Sequence, residues 1–526
     1  MKLKASDLFV KALENEGVKY IFGLPGEENI DILDSLTRSS IEFITTRHEQ
    51  GAAFMADVYG RLTGKPGVCL STLGPGASNL VTGVANAHLD KVPLVALTGQ
   101  TARNKLHKES HQNVDTLKLF SGITKYNQAV ILPETIPEIV RKSFATSLRE
   151  TPGASHIQLP QDVAAKETEP VDMLGIPEEK PPVVSEDILK AAAAEINRAK
   201  NPILLAGNGV IRSKAWNEVS DFVDRTNIPV VSTFMAKGIV PFDHPRNLFI
   251  VGGKPYPPGM RPLHSSDLVI AVGFDLVEYD PITWNEDRAR KIINIHTCEA
   301  ELDEHFPVSF DLTGSIAQTM DSLSESVQRR NNTTVHDEIR SRRLTEMTEV
   351  RDQWERMPKA VMRILTEKLP EETVLISDVG LHKVWVSRWY HPRKAGKTIV
   401  FNGFASMGGS LPGAIAAKLA CPNDTVVAVS GDGGFMMNVQ ELETAVRLGL
   451  KFAVVVFNDG KFSLIEKEQL DNGFKPSHIS FGNPDFGLLA KSFGIHHELC
   501  TTEEEFEKAV AGFVNDQKLT LVEVRR

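Results

Sequence analysis

The sequence predicts an α/β protein made of three consecutive, doubly wound parallel-sheet domains. Its 526 residues, 41% of them hydrophobic, suffice for roughly three domains of about 150 residues, each with its own core. Short β-rich runs alternate with helix-like stretches along the chain, which is typical of parallel sheets covered on both faces. A polar, proline-bearing segment and a second, weakly patterned one divide this alternation into three blocks.

The first predicted domain covers residues 1–165. After an amphipathic N-terminal helix, β-rich runs at 19–24, 42–46, 67–72 and 92–99 are separated by helix-like stretches. Segment 166–187 carries several prolines and little apolar material, so we expect a linker there.

Two further predicted domains follow, covering residues 186–328 and 355–526. Each repeats the strand–helix alternation, which predicts two more parallel sheets. The strand-like runs are 202–207, 228–233, 268–273 and 291–296 in the second domain, and 373–378, 398–403, 425–430, 453–458 and 520–524 in the third.

Composition excludes several classes of function. The formal net charge is −10, and without a clustered basic face we expect no nucleic-acid partner. The four cysteines form no CxxC pair, so neither a zinc site nor a disulfide framework is indicated, and we expect reduced thiols in the cytoplasm. The N-terminus lacks the pattern of a signal peptide and no uncharged apolar run reaches about 18 residues, so no membrane partner is expected.

The motif with the clearest chemistry follows the strand-like run at 425–430. Gly431, Gly433 and Gly434 would let the backbone approach phosphate oxygens, and we expect a helix beginning near Met437 to point its positive end at them. Asp432 lies at the end of this strand, and Asp459 follows the next strand-like run 27 residues later. That spacing fits one crossover, which would bring both carboxylates to the same sheet edge.

Two carboxylates at one edge predict a magnesium site. With the carbonyl of Lys461, phosphate oxygens and water, they would complete the octahedral oxygen shell that Mg²⁺ prefers. The alternative is that Asp432 and Asp459 are solvated turn residues, as Asp-Gly pairs usually are.

A second candidate site lies in the first domain, where Glu49 follows a strand and opens a helix rich in small residues. Burying a carboxyl at such a boundary costs free energy unless its proton or charge is used. The alternative is an acidic residue at a helix N-terminus, stabilised only by the helix dipole.

These motifs resemble the thiamine-diphosphate enzyme family. The resemblance rests on 431-GDG-433, on the Asn-Asp pair 458–459, and on 42-EFITTRHEQGAAFMADVYGRLTG-64. Asp459 departs from the commoner asparagine, but it is also an oxygen ligand. The resemblance implies pyrimidine-binding, central and diphosphate-binding domains, in that order. It also implies thiamine diphosphate and Mg²⁺ as cofactors, with Asp432, Asp459 and Lys461 (through its carbonyl) as metal ligands.

The same resemblance implies roles for further residues. Glu49 would hydrogen-bond N1′ of the aminopyrimidine and promote loss of the thiazolium C2 proton, Met407 would hold the cofactor bent, and His382 would contact the diphosphate. Ordinary core and surface roles are the rival readings of Met407 and His382. His111 and Gln112 would handle the substrate as catalytic residues. The implied cofactor-binding set is Gly26, Glu49, Gly76, Asn79, His382, Gly403, Ser406, Met407, Gly431, Asp432, Gly433, Gly434, Lys461, Phe462 and Leu464.

Within the family, the chain is most similar to flavin-independent, catabolic-type acetolactate synthases, notably over 273-GFDLVEYDPITWN-285 and 111-HQNVDTLKLFSGITKY-126. This implies decarboxylation of pyruvate and ligation of the two-carbon fragment to a second pyruvate, in a homodimer or homotetramer whose sites lie between subunits. The alternatives are a non-ligating 2-oxo-acid decarboxylase, a flavin-containing pyruvate oxidase, and a non-enzymatic dinucleotide-binding module. The turn 206-AGNGVI-211 favours the last of these only weakly, because it lacks GxGxxG.

Overall fold

The structure, a computed structural model, describes residues 2–177, 180–252, 260–349 and 353–525. It contains three six-stranded sheets in consecutive parts of the chain, each with helices packed on both faces, and this confirms the predicted α/β architecture. Met1 and Arg526, at the ends of the predicted domains, and Glu178 and Glu179 of the predicted linker lie outside the described residues.

The first part of the chain forms a parallel sheet. Its elements are β1 (Leu3–Lys4), α1 (Ala5–Asn15), β2 (Tyr20–Gly23), α2 (Ile30–Leu36), β3 (Glu42–Thr45), α3 (Glu49–Thr63), β4 (Gly67–Ser71), α4 (Gly74–Leu89), β5 (Leu94–Gln100), α5 (Thr116–Phe120), β6 (Tyr126–Ala129), α6 (Ile136–Leu148), β7 (Ala154–Pro160), α7 (Gln161–Ala164) and β8 (Glu167–Thr168). The strand order is β3-β2-β4-β5-β7-β6. β1 and β8 form a separate antiparallel pair.

The second part forms the central sheet. Its elements are α8 (Glu186–Arg198), β9 (Pro202–Ala206), α9 (Asn208–Arg212), α10 (Trp216–Thr226), β10 (Val230–Ser232), β11 (Asn247–Ile250), α11 (Arg261–His264), β12 (Leu268–Val272), α12 (Ile282–Asn285), β13 (Lys291–His296), β14 (Val308–Thr313), α13 (Ile316–Ser326) and α14 (Thr334–Thr348). The strand order is β11-β10-β9-β12-β13-β14, and every pairing is parallel.

The third part repeats the pattern. Its elements are α15 (Arg356–Lys368), β15 (Thr373–Ser377), α16 (Leu381–Trp389), β16 (Thr398–Val400), α17 (Ser410–Ala420), β17 (Thr425–Gly431), α18 (Asp432–Met437), α19 (Glu441–Arg447), β18 (Ala453–Asn458), α20 (Ser463–Asp471), α21 (Phe486–Phe493), β19 (His496–Cys500), α22 (Glu503–Asp516) and β20 (Thr520–Arg525). The strand order is β16-β15-β17-β18-β20-β19, again parallel throughout.

The first and third parts of the chain share one hydrophobic core. α3 packs on α17, and the side chain of Val58 contacts Gly413, which has no side chain of its own. The rings of Phe54 and Phe401 lie 5.6 Å apart between centroids, and both are fully buried. This shared core fixes the helix that begins at Glu49 against the domain that carries Asp432.

Two segments differ from expectation. The predicted linker is tied to the first domain, because Val171 and Met173 pack against its core and Asn15 donates to the carbonyl of Leu174 at 3.1 Å. α14 lies between the second and third predicted domains, and its Arg343 donates to the carbonyl of Ile250 at 2.7 Å. Within the described ranges, no helix is both long and apolar enough to cross a membrane.

Candidate active site

Glu49 is the first residue of α3 and lies at the carboxyl edge of the first sheet. Its side chain is buried, and Oε2 accepts a hydrogen bond from Asn79 Nδ2 at 2.9 Å. A methyl group built on Gly76 would lie 3.2 Å from Glu49 Oε1. The structure therefore brings together three residues that sequence analysis had grouped, Glu49, Gly76 and Asn79.

Gly26 adjoins this group through Thr72. A Cβ on Gly26 would lie only 2.4 Å from Thr72 Cβ, and one on Gly76 would lie 2.9 Å from Thr72 Cγ2. Neither glycine tolerates a side chain without a shift of Thr72. These glycines keep the backbone close on one side of Glu49.

His111 and Gln112 lie in an exposed loop above the same edge. A Cβ on Gly74 would approach the carbonyl oxygen of Gln112 to 2.4 Å, so the backbone of this loop packs on the start of α4. The loop is also held by Gln100, whose Nε2 donates to the carbonyl of Val114 at 3.0 Å. The structure thus places Gln112 near the Gly76 turn and leaves both predicted substrate-handling side chains open to solvent.

Asp432 and Asp459 follow neighbouring strands, as the spacing predicted, because β17 and β18 pair in parallel. The predicted helix start near Met437 is wrong: α18 begins at Asp432 itself and ends at Met437. The glycines at 433 and 434 therefore lie inside the first turn of the helix, where the absence of side chains still leaves backbone amides accessible.

The Asp432 carboxylate is buried and held by three donors. It accepts hydrogen bonds from Gly433 N at 2.8 Å, Gly460 N at 2.6 Å and Asn483 Nδ2 at 2.7 Å. Burial raises the pKa of Asp432, the bonds from Gly460 and Asn483 oppose this, and the negative charge of Asp459 adds to it. A cation beside Asp432 would relieve that charge cost.

Lys461, Phe462 and Leu464 follow Asp459. The Lys461 carbonyl accepts from Ser463 N at 3.1 Å, which leaves its second lone pair for another partner. Phe462 packs on Gly433, where a Cβ would lie 2.7 Å from its ring, and Leu464 packs against the buried core beneath. Of these three residues, Lys461 offers its backbone carbonyl as a ligand, and Phe462 and Leu464 contribute apolar side chains beside it.

His382 lies in α16 and is buried against Gly431. A Cβ on Gly431 would lie 3.2 Å from His382 Nδ1, and Nε2 is a buried atom without a hydrogen-bond partner among the described residues. Burial lowers the pKa of His382 to about 3, so the ring is neutral at physiological pH. An unpartnered buried nitrogen is costly unless a ligand completes it.

Gly403, Ser406 and Met407 belong to the loop before α17. Asp90 of the first domain accepts a hydrogen bond from the Gly403 backbone nitrogen, while Ser406 and Met407 are partly buried. Gly408 follows with φ +91°, and a Cβ there would lie 2.8 Å from Asn438, so only glycine fits. The structure thus presents Met407 on a loop held at both ends.

Asp378, which was not among the residues predicted from the sequence, orders this region through its buried carboxylate. Its buried carboxylate accepts from Gly408 N at 2.9 Å and from the hydroxyls of Ser410 and Ser430, each at 3.2 Å. It thereby joins the Met407 loop to the end of β17. The 377-SD-378 pair after a strand was the available signal.

Glu441 was also missed, and it links the two halves of the chain. Its carboxylate is fully buried and accepts hydrogen bonds from the backbone nitrogens of Arg47 and His48, each at 3.0 Å. Thr444 Oγ1 donates to it at 2.7 Å. Glu441 therefore fixes the residues immediately before Glu49, as a positioning residue rather than a catalytic one.

The residues present fit a bound diphosphate and an aminopyrimidine. At the edge of the third-domain sheet, glycines leave the backbone accessible, and His382 Nε2 has no hydrogen-bond partner among the described residues. At the edge of the first-domain sheet, Glu49 supplies a buried carboxylate held by Asn79. Among the described residues, no group of three or more His, Cys, Asp or Glu side chains is arranged to hold a metal. The predicted magnesium site contains only two carboxylates, with one backbone carbonyl as its third protein ligand. It therefore does not depend on a group of three such side chains.

The two halves of the chain pack together, but the side chains of Glu49 and Asp432 have separate sets of contacts among the described residues. The hydrogen bonds and glycine contacts of the Glu49 side chain involve first-domain residues, Asn79 and Gly76. Those of Asp432 involve Gly433, Gly460 and Asn483 of the third domain.

Comparison with known proteins agrees with this geometry. Models of thiamine pyrophosphate enzymes match three stretches: the N-terminal TPP binding domain over residues 3–119, the central domain over 189–323 and the C-terminal TPP binding domain over 378–524. The chain therefore belongs to the thiamine pyrophosphate (thiamine diphosphate) enzyme family.

Curated relatives of the chain are acetolactate synthases. The acetolactate synthase of Bacillus subtilis is 34% identical over 501 residues, covering 94% of this chain and 88% of the relative. The catabolic acetolactate synthase of Raoultella terrigena is 33% identical, covering 93% and 89%. The probable acetolactate synthase large subunit of Methanocaldococcus jannaschii is 34% identical, covering 96% and 89%.

Proposed function

We propose that the chain is an acetolactate synthase that converts two pyruvate molecules into 2-acetolactate and CO₂, using thiamine diphosphate and Mg²⁺. The observation that carries this proposal is the buried Glu49–Asn79 pair facing the Gly76 turn, in a chain similar to acetolactate synthases over almost its whole length. When bound, thiamine diphosphate supplies an electron sink for the carbon–carbon bond that breaks as pyruvate loses CO₂.

Glu49 is the proposed catalytic acid/base. Its carboxyl would exchange a proton with N1′ of the aminopyrimidine, and general acid–base groups of this kind contribute about 10²–10⁴-fold in rate. Asn79 donates a hydrogen bond to Glu49, and Glu441 accepts a hydrogen bond from the backbone just before it. Both contacts limit the orientations of the Glu49 side chain. Such fixed positioning of a reacting group is itself a source of rate.

Asp432, Asp459 and the Lys461 carbonyl are the proposed Mg²⁺ ligands. All three follow strands or turns at one sheet edge, where hard oxygen donors suit Mg²⁺. The diphosphate would lie against Gly431, Gly433 and Gly434. It would also provide the hydrogen-bond partner that His382 Nε2 lacks among the described residues. Held by these oxygens, Mg²⁺ would offset the negative charge of the two carboxylates and the diphosphate.

The remaining residues of the predicted site bound the space for pyruvate. Gly403, Ser406 and Met407 would line the cofactor from the third domain, with Phe462 and Leu464 behind them and Gly26 opposite. His111 and Gln112 would contact the substrate when the exposed loop 107–115 is covered. Excluding water matters here because protonation of the two-carbon fragment would release acetaldehyde instead of acetolactate.

The proposed assembly is a homodimer or homotetramer in which Glu49 of one subunit faces Asp432 of another. The separate contact sets of the two residues support this arrangement, as does twofold symmetry, the commonest in homo-oligomers. The relative from M. jannaschii is named as a large subunit. Four free cysteines, at 69, 298, 421 and 500, suit a reducing compartment such as the cytoplasm.

Product analysis tests the proposal. Purified protein is supplied with pyruvate, thiamine diphosphate and Mg²⁺, and the products are separated and quantified. We expect one CO₂ and one acetolactate for every two pyruvates consumed. Acetaldehyde without acetolactate would contradict ligation and indicate a non-ligating decarboxylase, whereas peroxide formation by a yellow, flavin-containing protein would indicate an oxidase.

A further inference from the structure

A cavity of about 250 Å³ lies between the first and central parts of the chain, away from the proposed cofactor site. Lys91 and Thr151 line it from the first part, and Asp275, His296 and Cys298 line it from the ends of β12 and β13. None of these residues is assigned to cofactor, metal or substrate binding above. The cavity is therefore separate from the proposed active site.

Its wall holds a thiol, an imidazole and a carboxylate in line. Cys298 Sγ lies 3.2 Å from His296 Nδ1, and His296 Nε2 lies 3.5 Å from Asp275 Oδ1. Arg212 Nη1 donates to Asp275 Oδ2 at 2.6 Å and fixes the carboxylate. The Cys298 backbone nitrogen also donates to His296 Nδ1 at 3.3 Å, and Arg212 Nη2 lies 3.5 Å from Nε2. The ring is thus held with Nδ1 as an acceptor beside the sulfur, as in activated cysteine nucleophiles.

The groups around the ring favour its protonated form. Burial acts against a charged imidazole, but hydrogen bonds with Asp275 and Cys298 raise the pKa of His296 to about 9, and Arg212 lowers it only in part. With Nδ1 as the acceptor, His296 can take the thiol proton of Cys298 and leave the thiolate, which is the nucleophilic form.

The cavity suits a small, uncharged reagent. Its lining carries cations, Lys91 and His296, and also the acids Asp275, Glu299 and Glu301, so neither sign of charge is selected. Cys298 itself is partly exposed. A molecule the size of water or peroxide has room to reach the sulfur.

We propose that Cys298 is a reactive thiol and a site of reversible oxidation by hydrogen peroxide, with His296 and Asp275 as the residues that activate it. The thiolate sulfur attacks one peroxide oxygen, the O–O bond breaks and an S–O bond forms, giving a sulfenic acid. The other oxygen leaves as hydroxide and takes the proton of the His296 imidazolium, so that water is released. Sulfur is oxidised and peroxide is reduced in the same step.

The chain contains a matched control in Cys421. It is partly exposed like Cys298, but burial raises its pKa and its electrostatic partners are Lys397, Asp424 and Lys418 rather than an imidazole. Cys69 and Cys500 are buried. Exposure alone would therefore make Cys298 and Cys421 react alike.

The test treats the full-length protein, with thiamine diphosphate and Mg²⁺ present, with limiting hydrogen peroxide and a sulfenic-acid trapping reagent. Peptide mass spectrometry then gives the rate at each cysteine. We expect Cys298 to react about fivefold faster than Cys421 or more, because an imidazole nitrogen lies 3.2 Å from its sulfur and can accept the thiol proton. Equal rates at the two cysteines, or a faster Cys421, would overturn the proposal without any variant being needed.

A His296→Gln variant then separates activation from exposure. We expect it to reduce the rate at Cys298 about threefold or more while the rate at Cys421 stays unchanged. Cys298→Ser should keep acetolactate formation within about twofold of wild type, since the thiol lies outside the proposed active site. An unchanged rate at Cys298 in folded His296→Gln protein would refute the role of the imidazole.

Discussion

Replacing Glu49 with glutamine isolates its proposed proton exchange from its other contributions. The amide keeps the size of the side chain, and its oxygen still accepts the 2.9 Å hydrogen bond from Asn79. What is lost is the exchangeable proton. Because general acid–base groups contribute about 10²–10⁴-fold, we expect kcat to fall by about 10² or more, equivalent to about 2.7 kcal/mol of transition-state stabilisation.

Two measurements make this prediction specific. Steady-state acetolactate formation gives kcat, and calorimetry gives the affinity for thiamine diphosphate, which should stay within about tenfold of wild type because no metal or diphosphate contact changes. The matched control is Glu186→Gln, at the first residue of α8, where the acid is exposed and pairs with Lys190 at 3.0 Å. Near-normal turnover in Glu49→Gln would refute the acid/base role and leave only the helix-dipole effect, worth about 0.3–1 kcal/mol.

Two further predictions concern residues that hold the site together. Asp432→Ala should weaken Mg²⁺-dependent binding of thiamine diphosphate by more than about 100-fold, since one of few protein oxygens is lost; unchanged affinity by calorimetry, with Asp471→Ala as control, would count against metal binding there. Glu441→Ala should lower the free energy of unfolding by about 2–4 kcal/mol because the backbone nitrogens of Arg47 and His48 lose their acceptor. Denaturant unfolding measures this loss, Glu443→Ala should cost less than about 0.5 kcal/mol, and equal effects of the two would show that the Glu441 contacts are not specific.

Strand periodicity made much of the fold predictable from the sequence. Buried parallel strands are continuous apolar runs, so 453–458 and 425–430 were recognisable, and their spacing correctly placed Asp432 and Asp459 after neighbouring strands. The strands at 126–129 and 496–500 carry polar residues and lie at sheet edges. The sequence did not indicate these two strands, nor the central strand at 154–160, where Ser155, His156 and Gln158 interrupt the apolar run.

The supporting polar contacts of the site were harder to predict. Asp378, Glu441 and Asn483 make hydrogen bonds to residues distant in sequence; Glu441 and Arg47 are 394 positions apart. No periodic pattern marks such a residue, and its partner is known only once the domains pack. The helix start at Asp432 was misplaced for a different reason. The glycines at 431, 433 and 434 reduce the helix propensity of this stretch.

We propose that one active site is built from Glu49 of one subunit and Asp432 of another. The most direct test mixes two inactive variants, Glu49→Gln and Asp432→Ala, in equal amounts under conditions that exchange subunits. With sites shared between chains, each hybrid dimer has one intact site, and acetolactate formation should recover to about a quarter of wild type after complete random exchange. Recovery of no activity, with hybrid dimers verified by mass spectrometry, would show that each site forms within one chain.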